Sequence, residues 1–208
     1  MRLGIAITIL MAFMFVTACN DPAADKPRAT TGEAAQASPQ NVAGQKYRIT
    51  NENSKIEFIG SKVTGSHNGS FQKFSGEINY AGAPERSRVS VTMDTASLIA
   101  DDPKLTEHLK TADFFDVAKF PQATFVSTEI KPGGQNATHT ITGNLTLHGV
   151  TKAVTFPATI NVTPDVANVD ANFSINRKDF GINYAGAQDN LIRDDVVLKL
   201  TIRGAKAS

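Results

Sequence analysis

A single cysteine, Cys19, stands in 208 residues. One thiol excludes an intramolecular disulfide, so packing and hydrogen bonds alone must hold the fold. Tryptophan is absent and aromatics make up 7% of the chain. The bulkiest core filler is missing, which leaves room inside whatever the chain encloses. Lys and Arg form no stripe. Arg2 is the one charged residue before Cys19, and the remainder carries 20 basic and 20 acidic side chains. Zero net charge without a basic face argues against nucleic acid as a partner. The longest apolar run, Leu3–Val16, falls short of the roughly 20 residues that span a bilayer as a helix. His67, His108, His139 and His148 show no paired metal-ligand spacing. No serine has the setting of a nucleophile. Asp101-Asp102 and Asp194-Asp195 are adjacent pairs, whose side chains point apart and suit caps and turns. These absences point away from an enzyme, a metal or a cofactor.

What is present begins with a secretory signal over residues 1–19. Arg2, the short apolar run and Thr17-Ala18-Cys19 are its basic start, greasy middle and small-residue end. The stretch "VTAC" resembles the lipobox of bacterial lipoproteins, which implies that Cys19 becomes an acylated first residue. Such a chain anchors by about 0.8 kcal/mol per buried CH₂. Residues 20–45 hold mostly Ala, Pro, Asp, Gln, Thr and Ser, which bury little. They are expected to form a disordered tether spanning roughly 25–30 Å.

From Tyr47 onward the pattern has period two. Ile56, Phe58 and Gly60 alternate with Lys55, Glu57 and Ile59. Val89, Val91 and Met93, then His139, Ile141, Gly143, Leu145 and Leu147, repeat the pattern, as do Val154–Val162, Val169–Ile175 and Val196–Ile202. The strand near Ala123–Ile130 alternates less cleanly. Asn51–Ser54, Pro132-Gly133-Gly134, His148-Gly149 and Thr163-Pro164-Asp165 mark turns. Eight or nine antiparallel strands, each with one apolar face, must close into a barrel or fold into a sandwich. The expected class is all-β, in one domain over 46–205. A barrel of eight strands is just wide enough to be filled by side chains or to hold one slender ligand. Gly76, Gly143, Ala158 and Ala171 on apolar faces leave space inside.

Asp101-Asp102-Pro103 offers an N-cap and a proline in the first turn of a helix. Leu105 and Leu109 share a face, and Phe114-Phe115 continue the segment irregularly. It suits a lid over one mouth or a plug closing the core, and the pattern leans to the plug. The hexapeptide "INYAGA" occurs at Ile78–Ala83 and at Ile182–Ala187. A shift of 104 residues aligns nothing outside the copies, so no duplication is implied. Both copies are expected where a strand exits into a loop.

Three stretches then carry a resemblance: "HLKTADFFDVAKFPQATF" (His108–Phe125), "GNLTLHGVTKAVTF" (Gly143–Phe156) and "INRKDFGI" (Ile175–Ile182). In that order they resemble the YceI-like family of periplasmic polyisoprenoid-binding proteins, over about Tyr47 to Arg203. The resemblance implies an antiparallel eight-stranded, lipocalin-like β-barrel with one short helical segment, a long-chain prenyl lipid inside, and no catalytic residues. The expected ligand site combines inward strand positions with the helix and the motifs. It comprises Phe58, Phe74, Ile78, Val91, Met93, Leu109, Phe114, Phe115, Phe125, Ile141, Gly143, Leu145, Phe156, Phe173, Ile175, Phe180, Tyr184 and Leu198. Expected partners are a polyisoprenoid or other long-chain lipid and, through Cys19, a membrane on the periplasmic side of the envelope. A homodimer stays open. Fatty acid derivatives are the near alternative ligand, and a packed barrel acting as an envelope interaction module is the distant one.

Overall fold

The computed structural model describes residues 21–36, 43–188 and 190–207. The expected signal and Cys19 lie outside the described residues. Among the described residues fourteen strands and one α-helix follow one another. They are β1 (Thr30–Gly32), β2 (Gln45–Thr50), β3 (Lys55–Lys62), β4 (Gly65–Phe71), β5 (Phe74–Tyr80), β6 (Arg88–Asp94), β7 (Leu98–Ala100), α1 (Pro103–Lys110), β8 (Gln122–Pro132), β9 (His139–Leu147), β10 (Val150–Val162), β11 (Val166–Asn176), β12 (Gly186–Ala187), β13 (Asn190–Leu191) and β14 (Asp195–Lys206).

These elements make eight arms. Three arms are bent. β2 and β3 lie end to end along the same side of β14, with Arg48 opposite Ala205 and Lys55 opposite Thr201. Ser54 fills the break between them: its Oγ accepts from the Arg203 N–H at 2.9 Å, and it is buried. β4 and β5 form the second bent arm, broken at Gln72-Lys73, pairing with β3 and β2 respectively. β6 and β7 form the third, pairing with β5 and β4. A 3-10 turn at Thr95–Ser97 separates them, capped by Asp94 accepting from Ala96 N–H. β8, β9, β10, β11 and β14 follow as single arms, each antiparallel to the next or previous one. β14 meets the first arm, and the meander closes into an eight-stranded antiparallel barrel.

Local chemistry explains the arms. In β9, Ile141, Gly143 and Leu145 are buried and Thr140, Thr142, Asn144 and Thr146 are not. On the outer face Thr142 bonds Thr155 at 2.9 Å and Thr146 bonds Thr151 at 2.8 Å, cross-strand hydroxyl pairs that fix the register. His148 and Gly149 turn the hairpin with φ of 50° and 74°, the left-handed pair that a two-residue hairpin requires. The unclean alternation of β8 has a cause: the register shifts between Ser127 and Glu129. Such a bulge reverses the facing of the residues beyond it.

The lower end of the barrel is shut by Tyr47, Ile49 and Ile78, all nearly inaccessible. Tyr47 donates its hydroxyl to the Thr163 carbonyl at 2.7 Å and meets the Tyr80 ring edge-on. Burial raises the Tyr47 phenol above its ordinary value. The upper end carries the β3–β4 turn, α1, the β9–β10 turn and the long strap from Arg177 to Asp194. α1 starts as expected, with Asp102 Oδ1 accepting from Leu105 N–H at 2.8 Å.

Two expectations are corrected. Residues 21–36 are no tether. Asp21 caps a turn by accepting from Ala23 N–H. Ala29 N–H donates to Ser174 O at 2.8 Å, and Ser174 N–H donates to Pro27 O at 2.9 Å. β1 adds to β10 with Thr30 opposite Thr155, and Ala35 exchanges two bonds with the Asn144 side chain. Ala23 and Ala29 are buried. The low hydrophobicity that argued for disorder is overridden by backbone pairing to a ready-made sheet. Of the rest of the expected tether, Asn20 and residues 37–42 lie outside the described residues, and Gln45 already belongs to β2. The second correction concerns "INYAGA". The first copy ends β5 at the lower end, as expected. The second lies in the strap at the upper end, after a left-handed Gly181 rather than after a strand.

Candidate functional site

The inward faces of the arms enclose a chamber of about 200 Å³. Its wall is apolar apart from one side chain, Arg177. Thirteen expected residues line it: Phe58, Val91, Met93, Leu109, Phe114, Phe115, Phe125, Ile141, Leu145, Phe156, Phe173, Ile175 and Leu198. Phe156 and Phe173 stack face to face, 4.2 Å between centroids and 9° between planes. Phe58, Phe71 and Phe115 form a second cluster near the upper end, with centroids 5.8–6.4 Å apart.

Glycines set where the rings lie. A Cβ on Gly69 would fall 2.2 Å from Phe58 Cζ, so Phe58 rests on Gly69. A Cβ on Gly143 would fall 2.3 Å from Phe125 Cζ and 2.7 Å from Val126 O. Gly143 therefore faces inward as expected, yet its space belongs to the Phe125 ring and not to a ligand. Gly60 differs. It lines the chamber, and nothing stands within 4 Å of where its Cβ would be.

Four more expected residues fall elsewhere. Phe74 and Ile78 are core residues outside the chamber wall, Ile78 at the shut end. Phe180 is wholly buried beside His148, whose Nδ1 lies 3.2 Å from the Phe180 carbonyl. Tyr184 is half-exposed on top of the barrel, its ring packed on Phe114 and His108 at 5.2 and 5.1 Å.

The lid and plug readings of the helical segment merge. α1 and the turn after it lay Leu109, Phe114 and Phe115 across the upper end of the chamber. Phe115 N–H donates to Leu109 O at 3.0 Å, which brings the two aromatics back over the opening. The other half of the cover is the strap, which contributes Ile182 and Ile192.

Arg177 holds the strap. Its side chain is 5% exposed. Nε donates to Arg193 O at 3.1 Å, Nη1 to Ile182 O at 2.6 Å, and Nη2 to Ile192 O and Asp194 Oδ1, both at 3.4 Å. Burial pulls the guanidinium below its ordinary value, and Asp194 partly offsets that. One buried fork thus gathers three carbonyls from both ends of the strap.

An apolar chamber inside a closed eight-arm meander, with a helix and a strap over one end, is the architecture that the motifs implied. A YceI-like domain model matches residues 47–204. The chain belongs to the YceI-like family.

A UPF0312 protein of Pseudomonas putida (strain W619) is 42% identical over 135 residues, covering 62% of this chain and 70% of that protein. A UPF0312 protein of Pseudomonas fluorescens (strain SBW25) is 36% identical over 171 residues, covering 76% and 87%. The crystal structure of Burkholderia cenocepacia BcnA superposes with a TM-score of 0.66 at 27% identity, over 74% of this chain and 98% of that one. A polyisoprenoid binding domain from Saccharophagus degradans, implicated in plant cell wall breakdown, shares the fold at a TM-score of 0.61 and 15% identity, over 77% and 99%.

Alternation alone could have found several further wall residues of this YceI-like chamber. Ile56, Val89, Val154, Val169, Val196, Leu200 and Ile202 are in phase with residues already chosen. Phe71 is set by the bend between β4 and β5. Arg177, Ile182 and Ile192 come from the strap, where no period exists to read. Elsewhere the histidines pair locally: His67 with Asp101 at 2.8 Å, His108 with Asp113 at 2.9 Å, His139 with Glu85 at 3.5 Å. Among the described residues no cluster of three or more His, Cys, Asp or Glu is arranged to hold a metal.

Proposed function

We propose that the chamber binds the chain of a polyisoprenoid lipid, one molecule per barrel, with the protein tied to the periplasmic side of the envelope through an acyl group on Cys19. The carrying observation is the chamber wall: some two dozen residues from eight arms, a helix and a strap converge on one space, and nearly all are apolar. Membership of the family supports the same reading, and the Saccharophagus degradans neighbour of the same fold is a polyisoprenoid binding domain.

Size favours a slender ligand. About 200 Å³ is less than the roughly 300–1,000 Å³ of sites that enclose a drug-sized molecule. A branched five-carbon unit threads such a space, and each buried CH₂ adds about 0.8 kcal/mol. A long chain needs more length than the closed form offers. Phe114 and Phe115 then swing aside, and the remaining units lie along the upper opening. Among the described residues no charged group other than Arg177 lines the chamber, and its guanidinium is committed to the strap. The ligand is therefore held by its chain, and the head stays outside.

The test is organic extraction of protein purified without detergent, followed by mass spectrometry. One prenyl lipid per protein is the expected result. A fatty acid derivative in its place would favour acyl-chain binding. No extractable lipid, with no uptake of added polyprenyl alcohol, would leave a packed barrel and refute the proposal.

A further inference from the structure

We infer that the barrel rests upper end down on the lipid surface that holds its own anchor, with the N-terminal segment as a rigid strut that sets this orientation. The inference rests on the Cys19 anchor proposed above and goes beyond it.

The first observation is the place of Asp21. Asp21 Oδ2 lies 3.1 Å from Arg193 Nη1. Arg193 belongs to the strap, directly after the wall residue Ile192, and its N–H donates to Ser61 O at 2.8 Å beside Gly60. Arg28 pairs with Asp195 at 2.9 Å. The segment is further fixed by β1 and by the two bonds between Ala29, Pro27 and Ser174. Two Cα–Cα steps join Cys19 to Asp21, which reach at most about 7.6 Å. An acyl group on Cys19 is therefore delivered next to the strap. A leash of some 25 residues would have left the barrel free to turn. A strut with two residues of slack does not.

The second observation is independent of the cysteine. Among the described residues the exposed large apolar side chains are Val63, Ile99, Tyr184 and Leu191. Three of them sit on loops of the upper end. Val63, at the β3–β4 turn, is 49% exposed, and Leu191, on β13, is 50% exposed. They are held together: Val63 N–H donates to Leu191 O at 3.2 Å, and Thr64 Oγ1 donates to Asn190 Oδ1 at 2.8 Å. Tyr184 belongs to the same strap, a ring with an apolar body and a polar tip, the form that suits a membrane interface. The fourth, Ile99, is on the outer face of β7, just before α1. Scattered single apolar residues need no explanation. Residues gathered at the end that also receives the anchor do. An acyl group and a few interfacial side chains together bind more firmly than either alone.

The cover of the chamber, Leu109, Phe114 and Phe115 with Ile182 and Ile192 of the strap, lies at this same end, so a chain leaving the bilayer reaches it without crossing water.

The test uses the full acylated protein in phosphatidylglycerol–phosphatidylethanolamine vesicles. Cys19 is the one native cysteine, and acylation consumes its thiol. Leu191→Cys and Gln135→Cys therefore each take a single fluorophore, at the upper and lower ends. Intact-mass measurement of the same samples reports acylation. The expected result is several-fold stronger quenching by bilayer-embedded doxyl lipid at 191 than at 135, and the reverse order with aqueous iodide. Asp21→Asn combined with Arg28→Gln should shrink the difference while vesicle binding persists. Acylated protein with label 191 fully exposed to iodide would refute the orientation and leave the anchor standing. Protein that carries no acyl group and stays off the vesicles would refute both.

Discussion

Filling the chamber from Gly60 separates a ligand-holding barrel from a packed one. Gly60 is on β3 in phase with Ile56 and Phe58, and its Cβ direction is open for at least 4 Å. In Gly60→Leu the new side chain occupies chamber space. Burying it stabilises the ligand-free protein by about 1.5–3 kcal/mol, less about 0.5–1 kcal/mol of rotamer entropy. Removing a glycine from the unfolded chain adds about 0.4–1 kcal/mol. The net gain is about 1–3 kcal/mol, a rise in Tm of roughly 2–12 °C for a domain of this size. Bound prenyl lipid should fall sharply, because the leucine competes for the same 200 Å³. Gly143→Leu is the contrast. There the Cβ meets Phe125 at 2.3 Å and a backbone oxygen at 2.7 Å. A ring can rotate, but the β8 carbonyl cannot move without breaking the ladder, so this change costs about 1–3 kcal/mol or more. Melting curves of the delipidated proteins, with polyprenyl alcohol titrations beside them, read both effects. A destabilised Gly60→Leu, or one that binds lipid as well as wild type, would refute the chamber as the binding space.

Replacing Phe115 with Ala removes a half-buried ring that bridges Phe58 and Phe71. It should cost about 1–3 kcal/mol and speed lipid exchange between protein and vesicles, whereas lost stability with unchanged exchange would make Phe115 a plug alone. Arg177→Met leaves the carbonyls of Ile182, Ile192 and Arg193 without their donor. A loss of about 3 kcal/mol is expected, with faster hydrogen exchange confined to 181–194 and no rescue by Lys, which lacks the fork. Asp101 accepts from the Asn68 N–H and sits 2.8 Å from His67 Nδ1, which together hold its carboxyl below the ordinary aspartate value. A depressed folded value means the stabilisation is present above the ordinary range and is lost as pH falls through the folded value. Denaturant midpoints of wild type and Asp101→Asn should differ at pH 7 and converge in strong acid; a constant difference would show that the carboxylate charge is not what matters.

Much of this protein is legible in one dimension. Period-two alternation from Ile56 to Ile202 places ten of the thirteen expected chamber residues, because every second side chain of a strand must face the same way. His148-Gly149 announces its hairpin, and Asp102-Pro103 announces α1, because both depend on neighbours in sequence. Other features depend on partners distant in sequence. The bends at Asn51–Ser54 and Gln72-Lys73 turn what look like separate strands into two long arms, the first aligned by the continuous edge of β14 and the second by the first. Phe125 lies on Gly143 from the next arm, so the glycine looks like free space until the ring is placed. Arg177 appears as a polar residue in a motif, and its three carbonyl partners are gathered from up to sixteen residues away. Residues 21–36 have almost nothing to bury, and their order comes from the outer edges of β10 and β11, which composition cannot register. Local propensity and periodicity determined the strands. Which surface the charged and small residues would meet was decided by closure of the barrel, since only then do β14, the strap and the N-terminal strut share one end.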